Sequence, residues 1–122
     1  MEYLYRFEKL NVWVEAKQLV VMVYGLLKKF PIEERFALCD QIRRAVISVP
    51  SNIAEGTGRM SVKEQIHFME IAYGSLMETY CQLQISLELG YITEEDLKAT
   101  KEKITVVAKL LSGFRANLAS RG

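Results

Sequence analysis

Apolar side chains recur at alternating steps of four and three residues between positions 62 and 87, and this spacing constrains the fold more than any other feature of the chain. It places the side chains along one side of an α-helix, whereas a strand would need strict alternation. Ser61 and Glu64 form a capping-box pattern at the start of the segment, and Gly90 suits the left-handed residue that ends a helix. The sequence therefore predicts a helix of more than three heptads within a bundle or coiled coil. Its apolar positions are Val62, Ile66, Met69, Tyr73, Leu76, Tyr80, Leu83 and Leu87.

Three further segments have helical periodicity, and none shows a strand pattern of useful length. The first helix is predicted at about 8–29, and the second at 33–57, with Glu33 and Glu34 in its first turn. The last helix is predicted to begin after Thr93, which is a favourable N-cap residue. The predicted inward positions of the second and last helices are Cys39, Ile42, Val46, Val49 and Ile53, then Leu97, Thr100, Ile104, Val107, Leu111, Phe114 and Leu118.

The connections between the predicted helices are short. Those at 30–32 and 90–93 make consecutive helices antiparallel neighbours. A chain of 122 residues is long enough to bury one core. We predict an all-α, up-down-up-down, antiparallel and left-handed four-helix bundle that forms one domain, residues 1–122.

The stretch SVPSNIAEGTGR at 48–59 combines loop-forming residues with an apolar rhythm that continues across it. Pro50 removes one helical hydrogen bond and crowds the preceding turn, so the second helix is predicted to be kinked there. Three polar side chains are expected to bond the freed backbone groups: Ser48, Ser51 and Asn52. Two glycines are expected to give the helix a flexible exit: Gly56 and Gly58.

The positive and negative charges nearly cancel, but they are unevenly distributed along the chain. The net charge of +1 argues against a strong nucleic-acid binder. Residues 64–97 carry seven acidic side chains and no basic one, whereas 17–63 carry eight basic and four acidic side chains. The first residues lack the features of a signal peptide, and the longest apolar run, 19–27, is shorter than the roughly 20 residues of a membrane span. We expect a cytoplasmic protein with no membrane partner.

Patterns for catalysis or metal binding are incomplete. Glu64 and His67 form the Glu-x-x-His unit of di-iron bundles, but such sites need that unit twice and the chain has one histidine. The segment 56–59 follows no strand, as a nucleotide-binding loop would. Ser48 and Ser51 have no histidine base in a recognisable arrangement. We expect neither an enzyme nor a bound metal or cofactor.

The two cysteines, Cys39 and Cys81, lie far apart inside apolar helical patterns. A disulfide or metal site would need closer spacing or nearby histidines. Both are therefore expected to be free, buried thiols.

Six cations are candidates for contacts with nucleic-acid phosphates: Lys28, Lys29, Arg43, Arg44, Arg59 and Lys63. The alternative is that they are solvated or pair with the acidic third helix. Composition alone favours this alternative, because phosphate binding needs a clustered excess of positive charge. Tyr73 and Tyr80 lie on the apolar stripe of the third helix and are expected in the core, not as exposed platforms for stacking bases.

The segments QIRRAVISVPSNIAEGTGR at 41–59, IAYGSLMET at 71–79 and LNVWVEAKQLVVMVYGLLKKFPIEE at 10–34 resemble the four-helix bundle family of 23S rRNA-intervening-sequence proteins. That family is encoded within intervening sequences of bacterial large-subunit rRNA genes and often carries a ribosomal-protein label. It is related to the accessory variability proteins of diversity-generating retroelements, which form five-fold rings and are strongly basic. The resemblance implies a non-enzymatic, ring-forming protein with a role in binding RNA or DNA.

The first helix is apolar on two sides, more than one bundle needs. Its second stripe consists of Trp13, Val20, Tyr24 and Leu27 and, if left in water, would form an apolar patch that monomers seldom expose. We therefore expect a cyclic homo-oligomer, a pentamer by the resemblance, with Arg44 as the counter-charge of Glu55. A second possibility is an interaction module that binds a basic protein through the acidic third helix and does not bind nucleic acid. The expected subunit-interface residues are Trp13, Val20, Tyr24, Leu27, Pro50, Asn52 and Glu55.

Overall fold

The computed structural model describes residues 2–121. It contains four α-helices: α1 (Asn11–Leu27), α2 (Leu38–Thr57), α3 (Val62–Glu88) and α4 (Glu94–Arg121). Each helix packs on the next one in sequence, and α4 also packs on α1, which closes the arrangement. The described residues contain no strand, and the predicted all-α four-helix bundle is confirmed. The left-handed sense of the bundle and a kink at Pro50 stay predictions.

A single apolar core runs between the four helices. The predicted inward stripe of α2 is confirmed at all five positions. On α4, five of the seven predicted inward positions are buried, and Leu97 and Phe114 are partly buried. On α3, the prediction that Tyr73 lies in the core is wrong, because its side chain is 39% exposed. Tyr73 borders an open cleft between α3 and α4 together with Arg115, so its ring lies at the edge of the core. Among residues 2–121, no helix is long and apolar enough to cross a membrane.

A second buried stripe on α3 is polar, and hydropathy gave no sign of it. Thr79 and Ser86 are fully buried and donate hydrogen bonds to the carbonyl oxygens of Ser75 and Gln82, at 2.9 and 2.8 Å. Because these side chains bond within their own helix, they fill little space between helices. The hydroxyl of Ser75 lies 2.8 Å from that of Ser48 on α2. Small, internally satisfied side chains therefore allow α2 and α3 to approach closely.

The cysteine prediction is half right. Cys39 is a free, buried thiol, as expected, but Cys81 is free and exposed. The buried side of α3 includes Thr79, Gln82 and Leu83, and these positions leave Cys81 facing solvent.

The starts of the first two helices differ from prediction. Residues 6–9 form a separate 3₁₀ turn, because Leu10 is extended and interrupts the helix before Asn11. α2 begins at Leu38 instead of residue 33, after a 3₁₀ turn at 32–34 and the non-helical Ala37. Glu34 is therefore outside the helix. Its carboxylate accepts the Leu38 amide at 3.3 Å and the Tyr91 hydroxyl at 2.9 Å, which joins the two connections at this end of the bundle.

The end of α2 is a packing point, and the predicted flexible exit is wrong for Gly56. Gly56 is buried within the helix. A Cβ atom at this position would lie 2.6 Å from Met69 Cε and 2.8 Å from Phe68 Cβ on α3. Only a hydrogen fits between the helices here, so Gly56 sets their distance.

The polar residues around Pro50 bond differently from prediction. The Asn52 amide donates to the carbonyl and hydroxyl oxygens of Ser48, at 2.7 and 2.8 Å. Because Pro50 lacks an N–H, the carbonyl oxygen that loses its helical hydrogen bond is that of Val46 and not that of Ser48. Asn52 therefore reinforces the following turn of α2 and does not satisfy the freed carbonyl.

The predicted ends of α3 and the start of α4 are confirmed. Ser61 Oγ accepts the Glu64 amide at 3.0 Å, and Gly90 has a φ of 81°. Thr93 and Asp96 cap α4 reciprocally, because each side chain accepts the other's backbone N–H, at 3.0 and 3.1 Å. The Asp96 carboxylate also accepts hydrogen bonds from Lys29, at 2.9 and 2.8 Å, which ties α4 to the end of α1.

Asp96 should make stability depend on pH. Hydrogen bonds from Lys29 and from the Thr93 backbone lower the pKa of Asp96 below its ordinary value of 3.8. A depressed folded-state pKa gives stability that is present above the unfolded-state pKa and lost as pH falls through the folded-state pKa. We expect Asp96→Asn to lose about 1 kcal/mol at pH 7 and nearly nothing at the acid end. Urea unfolding between pH 2 and 7 measures this, with Glu95→Gln as the control. A pH-independent difference would contradict the ion-pair origin.

Candidate functional site

The six predicted phosphate-contact residues lie in two groups. Lys28, Lys29, Arg43 and Arg44 are near the α1–α2 connection, whereas Arg59 and Lys63 lie at the α2–α3 connection, beyond the other end of α2. A helix rises about 1.5 Å per residue, so roughly 24 Å of α2 separates Arg43 from Arg59. The six candidates therefore form two small basic regions instead of one continuous basic surface.

Four of the six cations form ion pairs within the chain. Lys29 pairs with Asp96 at 2.8 Å, and Arg59 pairs with Glu55 at 3.0 Å. Within the chain, the counter-charge of Glu55 is thus Arg59, one helical turn away, and not Arg44; a pairing of Arg44 with Glu55 of a neighbouring chain stays a prediction. Arg43 and Arg44 share Asp40 instead, at 3.9 and 3.4 Å. Lys28 and Lys63 are exposed and take part in no ion pair among residues 2–121.

A cavity of about 370 Å³ opens beside the α1–α2 connection, and we call it the basic cavity. Lys28, Arg35 and Arg43 line it, and no carboxylate from residues 2–121 does. The remaining lining side chains are apolar, aromatic or thiol: Tyr24, Leu27, Phe30, Pro31, Ile32 and Cys39. Sequence reasoning missed Arg35 because it placed residues 33–37 in a helix.

Hydrogen bonds and burial fix the walls of the basic cavity. Arg43 donates to the Arg35 carbonyl oxygen at 2.8 Å, which holds its guanidinium against the connection. Burial raises the pKa of the Cys39 thiol, and the nearby Arg43 charge only partly opposes this. The thiol is therefore uncharged near neutral pH, and the arginine and lysine charges dominate the cavity.

A second concavity, of about 380 Å³, runs along the other half of the same face. It brings together three predicted interface residues, Trp13, Val20 and Pro50, and adds Ile47, which is 42% exposed. We call it the α1–α2 groove. Its full lining is Phe7, Trp13, Lys17, Val20, Ile47, Pro50, Ser51 and Ala54.

The second stripe of α1 is less exposed than predicted. Leu27 belongs to the core at 8% exposure, and only Tyr24, at 37%, counts as exposed. Trp13 is covered on two sides, by the Phe7 ring at 4.9 Å and by the Lys17 ammonium at 4.6 Å from its ring centre. The 3₁₀ turn at 6–9 thus covers part of the apolar surface that sequence reasoning left in water.

The other predicted interface residues lie apart from the groove lining. Tyr24 and Leu27 line the basic cavity. Asn52 is half-buried and bonded to Ser48, and Glu55 is exposed beside Arg59. The predicted interface thus resolves into an apolar centre at the groove and separate residues beyond its lining.

The patterns considered for chemistry do not come together. Among residues 2–121, no group of three or more His, Cys, Asp or Glu side chains is placed to hold a metal ion. His67 is exposed and packs edge-on against Phe68. Ser48 is bonded to Ser75 and Asn52, so its hydroxyl is part of the α2–α3 contact.

Comparison with known proteins identified a matching family and similar solved structures. The model of a family described as 23S rRNA-intervening sequence protein matches residues 8–113, which include α1, α2, α3 and most of α4. The chain is also similar to the crystal structure of a protein of unknown function from the S23 ribosomal protein family of Bacteroides thetaiotaomicron VPI-5482. Sequence identity is 27%, the TM-score is 0.79, and the similarity covers 85% of this chain and 97% of the other. A search of curated proteins found no match.

Proposed function

Because the chain belongs to the family of 23S rRNA-intervening sequence proteins, we propose that it acts without catalysis, as a bundle that assembles into a closed ring and associates with nucleic acid. The observation that carries the proposal is the α1–α2 groove, where Trp13, Val20 and Pro50 meet the exposed Ile47. Apolar concavities rimmed by polar side chains are typical of protein interfaces. The resemblance to five-fold rings supports a pentamer.

A ring needs a second, different surface on each chain to meet the groove of the next. The outer side of α3 fits this role. Ile71 and Ile85 are exposed there, about four helical turns apart, with Glu78 between them. Lys17 at the edge of the groove is complementary in charge to this acidic surface. We call Ile71, Glu78 and Ile85 the α3 outer surface.

In the ring, Lys28 and Lys63 are the leading candidates for phosphate contacts, because they are the two candidates that form no ion pair within residues 2–121. Arg43, Arg44 and Arg59 are held by solvent-accessible pairs, which are worth little and can exchange for phosphate, whereas Lys29 is bound to the partly buried Asp96. Since the chain carries a net charge of only +1, the association should be weak and sensitive to salt.

We expect a mobility shift with structured rRNA fragments at low salt that disappears at moderate salt. A Lys28→Gln/Lys63→Gln variant should weaken binding and lower the slope of affinity against salt by about one per lost contact. Lys98→Gln/Lys109→Gln, two exposed cations of α4, is the matched control. Absence of any shift at low salt would refute nucleic-acid association and leave the ring proposal to be judged by molecular mass.

A protein partner is the second candidate, supported by the charge of α3. Residues 64–97 contain no basic side chain, and Glu64, Glu78 and Glu88 are exposed and unpaired by cations within residues 2–121. Such a surface suits a basic protein. Purification of the native protein with and without nuclease separates the candidates. A stoichiometric partner that resists nuclease favours a protein, and co-eluting nucleic acid favours the first proposal.

A further inference from the structure

The basic cavity is lined by three cations of one chain and has the volume of a small-molecule site. We propose that it binds a small phosphate monoester carrying a flat organic group, such as a nucleoside monophosphate. This inference goes beyond the ring and the nucleic-acid association proposed above, and it depends on neither.

The charge of the basic cavity is largely uncompensated. Lys28 and Arg35 take part in no ion pair within residues 2–121, and no acidic side chain lines the cavity. Arg43 is 3.9 Å from Asp40, but Arg44 lies closer to that carboxylate, at 3.4 Å. Three cations around one concavity therefore leave a local excess that favours a dianion.

Each cation reaches the cavity from a different part of the chain. Lys28 follows the last turn of α1, Arg35 lies in the connection, and Arg43 comes from the second turn of α2. Arg43 is preorganised by its hydrogen bond to the Arg35 carbonyl. Convergent donors from separate segments suit a compact anion such as a phosphate group, whereas cations along a single helix would suit an extended backbone.

The rest of the lining suits an organic group next to the phosphate. Leu27, Phe30 and Pro31 form apolar walls, and the half-exposed Tyr24 provides an aromatic ring. The volume of about 370 Å³ lies at the lower end of the roughly 300–1,000 Å³ of small-molecule sites.

Isothermal titration calorimetry with adenosine 5′-monophosphate tests the proposal at low salt. We expect one site per chain, no binding of adenosine, and weaker binding of inorganic phosphate. Lys28→Gln and Arg35→Gln should each weaken binding about tenfold, as expected for a charge-assisted hydrogen bond. Both side chains are exposed, so the variants should fold. Lys109→Gln, an exposed cation of α4 beside the start of α1, should change affinity less than twofold because it does not line the cavity.

The proposal fails if the nucleotide does not bind, if adenosine binds equally well, or if Lys109→Gln weakens binding as much as the cavity variants. If the nucleotide binds as expected, a competition experiment identifies the source of the phosphate ester. Displacement by a 5′-phosphorylated oligonucleotide, but not by its 5′-hydroxyl form, assigns the cavity to an RNA end. Displacement by neither assigns it to free nucleotides. Because no ring or RNA is required, a failed mobility shift leaves this test intact.

Discussion

Gly56→Ala should destabilise the protein, although alanine is the better helix former. The added Cβ would lie 2.6 Å from Met69 Cε and 2.8 Å from Phe68 Cβ. The methionine terminus can move, but Phe68 Cβ is fixed to the backbone of α3, so the helices must separate. Overpacking of this kind costs about 1–3 kcal/mol, against about 0.5–1 kcal/mol gained by replacing a helical glycine. We expect a net loss of about 1–2 kcal/mol.

The chain contains matched controls for this substitution. Gly74 and Gly113 lie inside α3 and α4, both exposed, and nothing lies within 4 Å of a Cβ at either position. Alanine at these sites should stabilise the fold by about 0.5–1 kcal/mol. The free energies of unfolding in urea measure all three variants. If Gly56→Ala stabilised the protein as Gly74→Ala does, α2 and α3 would not depend on this close contact.

The sequence predicted the bundle because its main signals are local. The spacing of Ile42, Val46 and Val49 defines a buried side whatever surrounds the helix, and all three are fully buried. Ser61 and Gly90 act within one helical turn of themselves, and both mark the ends of α3 as expected. Signals of this kind need no knowledge of neighbouring helices.

Errors arose where a residue's role depends on a distant one. Gly56 looked like a loop residue because its neighbours on α3 are far away in sequence. Glu34 looked like the first turn of a helix because its bonds to Leu38 and Tyr91 cannot be inferred from charge. Likewise the six candidate cations were counted together, yet Lys29 is tied to Asp96, 67 positions later.

The candidate sites follow the same division. Trp13 and Val20 were chosen from the apolar pattern of α1 and Pro50 from the expected kink of α2, and the packing of α1 on α2 does bring them into one groove. The sequence did not indicate a role for Arg35, because the path of the α1–α2 connection is what brings its side chain to the basic cavity. Sequence identified the face of the bundle, and packing divided that face into an apolar and a basic concavity.

Ile47→Glu should convert the assembled protein to monomers. Ile47 is 42% exposed and lies in the α1–α2 groove, so burying a carboxylate there on assembly would be prohibitive. The fold should survive, because the side chain faces solvent in the single chain. Val106→Glu is the control, since Val106 on α4 has the same exposure and lies outside the groove and the α3 outer surface. Light scattering after size exclusion should give about five chain masses of 14.0 kDa for the unaltered protein and for the control, and one for Ile47→Glu.

Mixing two monomeric variants tests the head-to-tail arrangement. Ile71→Glu should disrupt the α3 outer surface and also give monomers, while leaving its groove intact. In a ring with two different surfaces, an Ile47→Glu chain and an Ile71→Glu chain still share one unaltered interface. Their mixture should therefore form a one-to-one dimer that neither variant forms alone. A monomeric mass for the unaltered protein at micromolar concentration would refute the assembly, and a mixture that stays monomeric would show that the groove and the α3 outer surface are not partners.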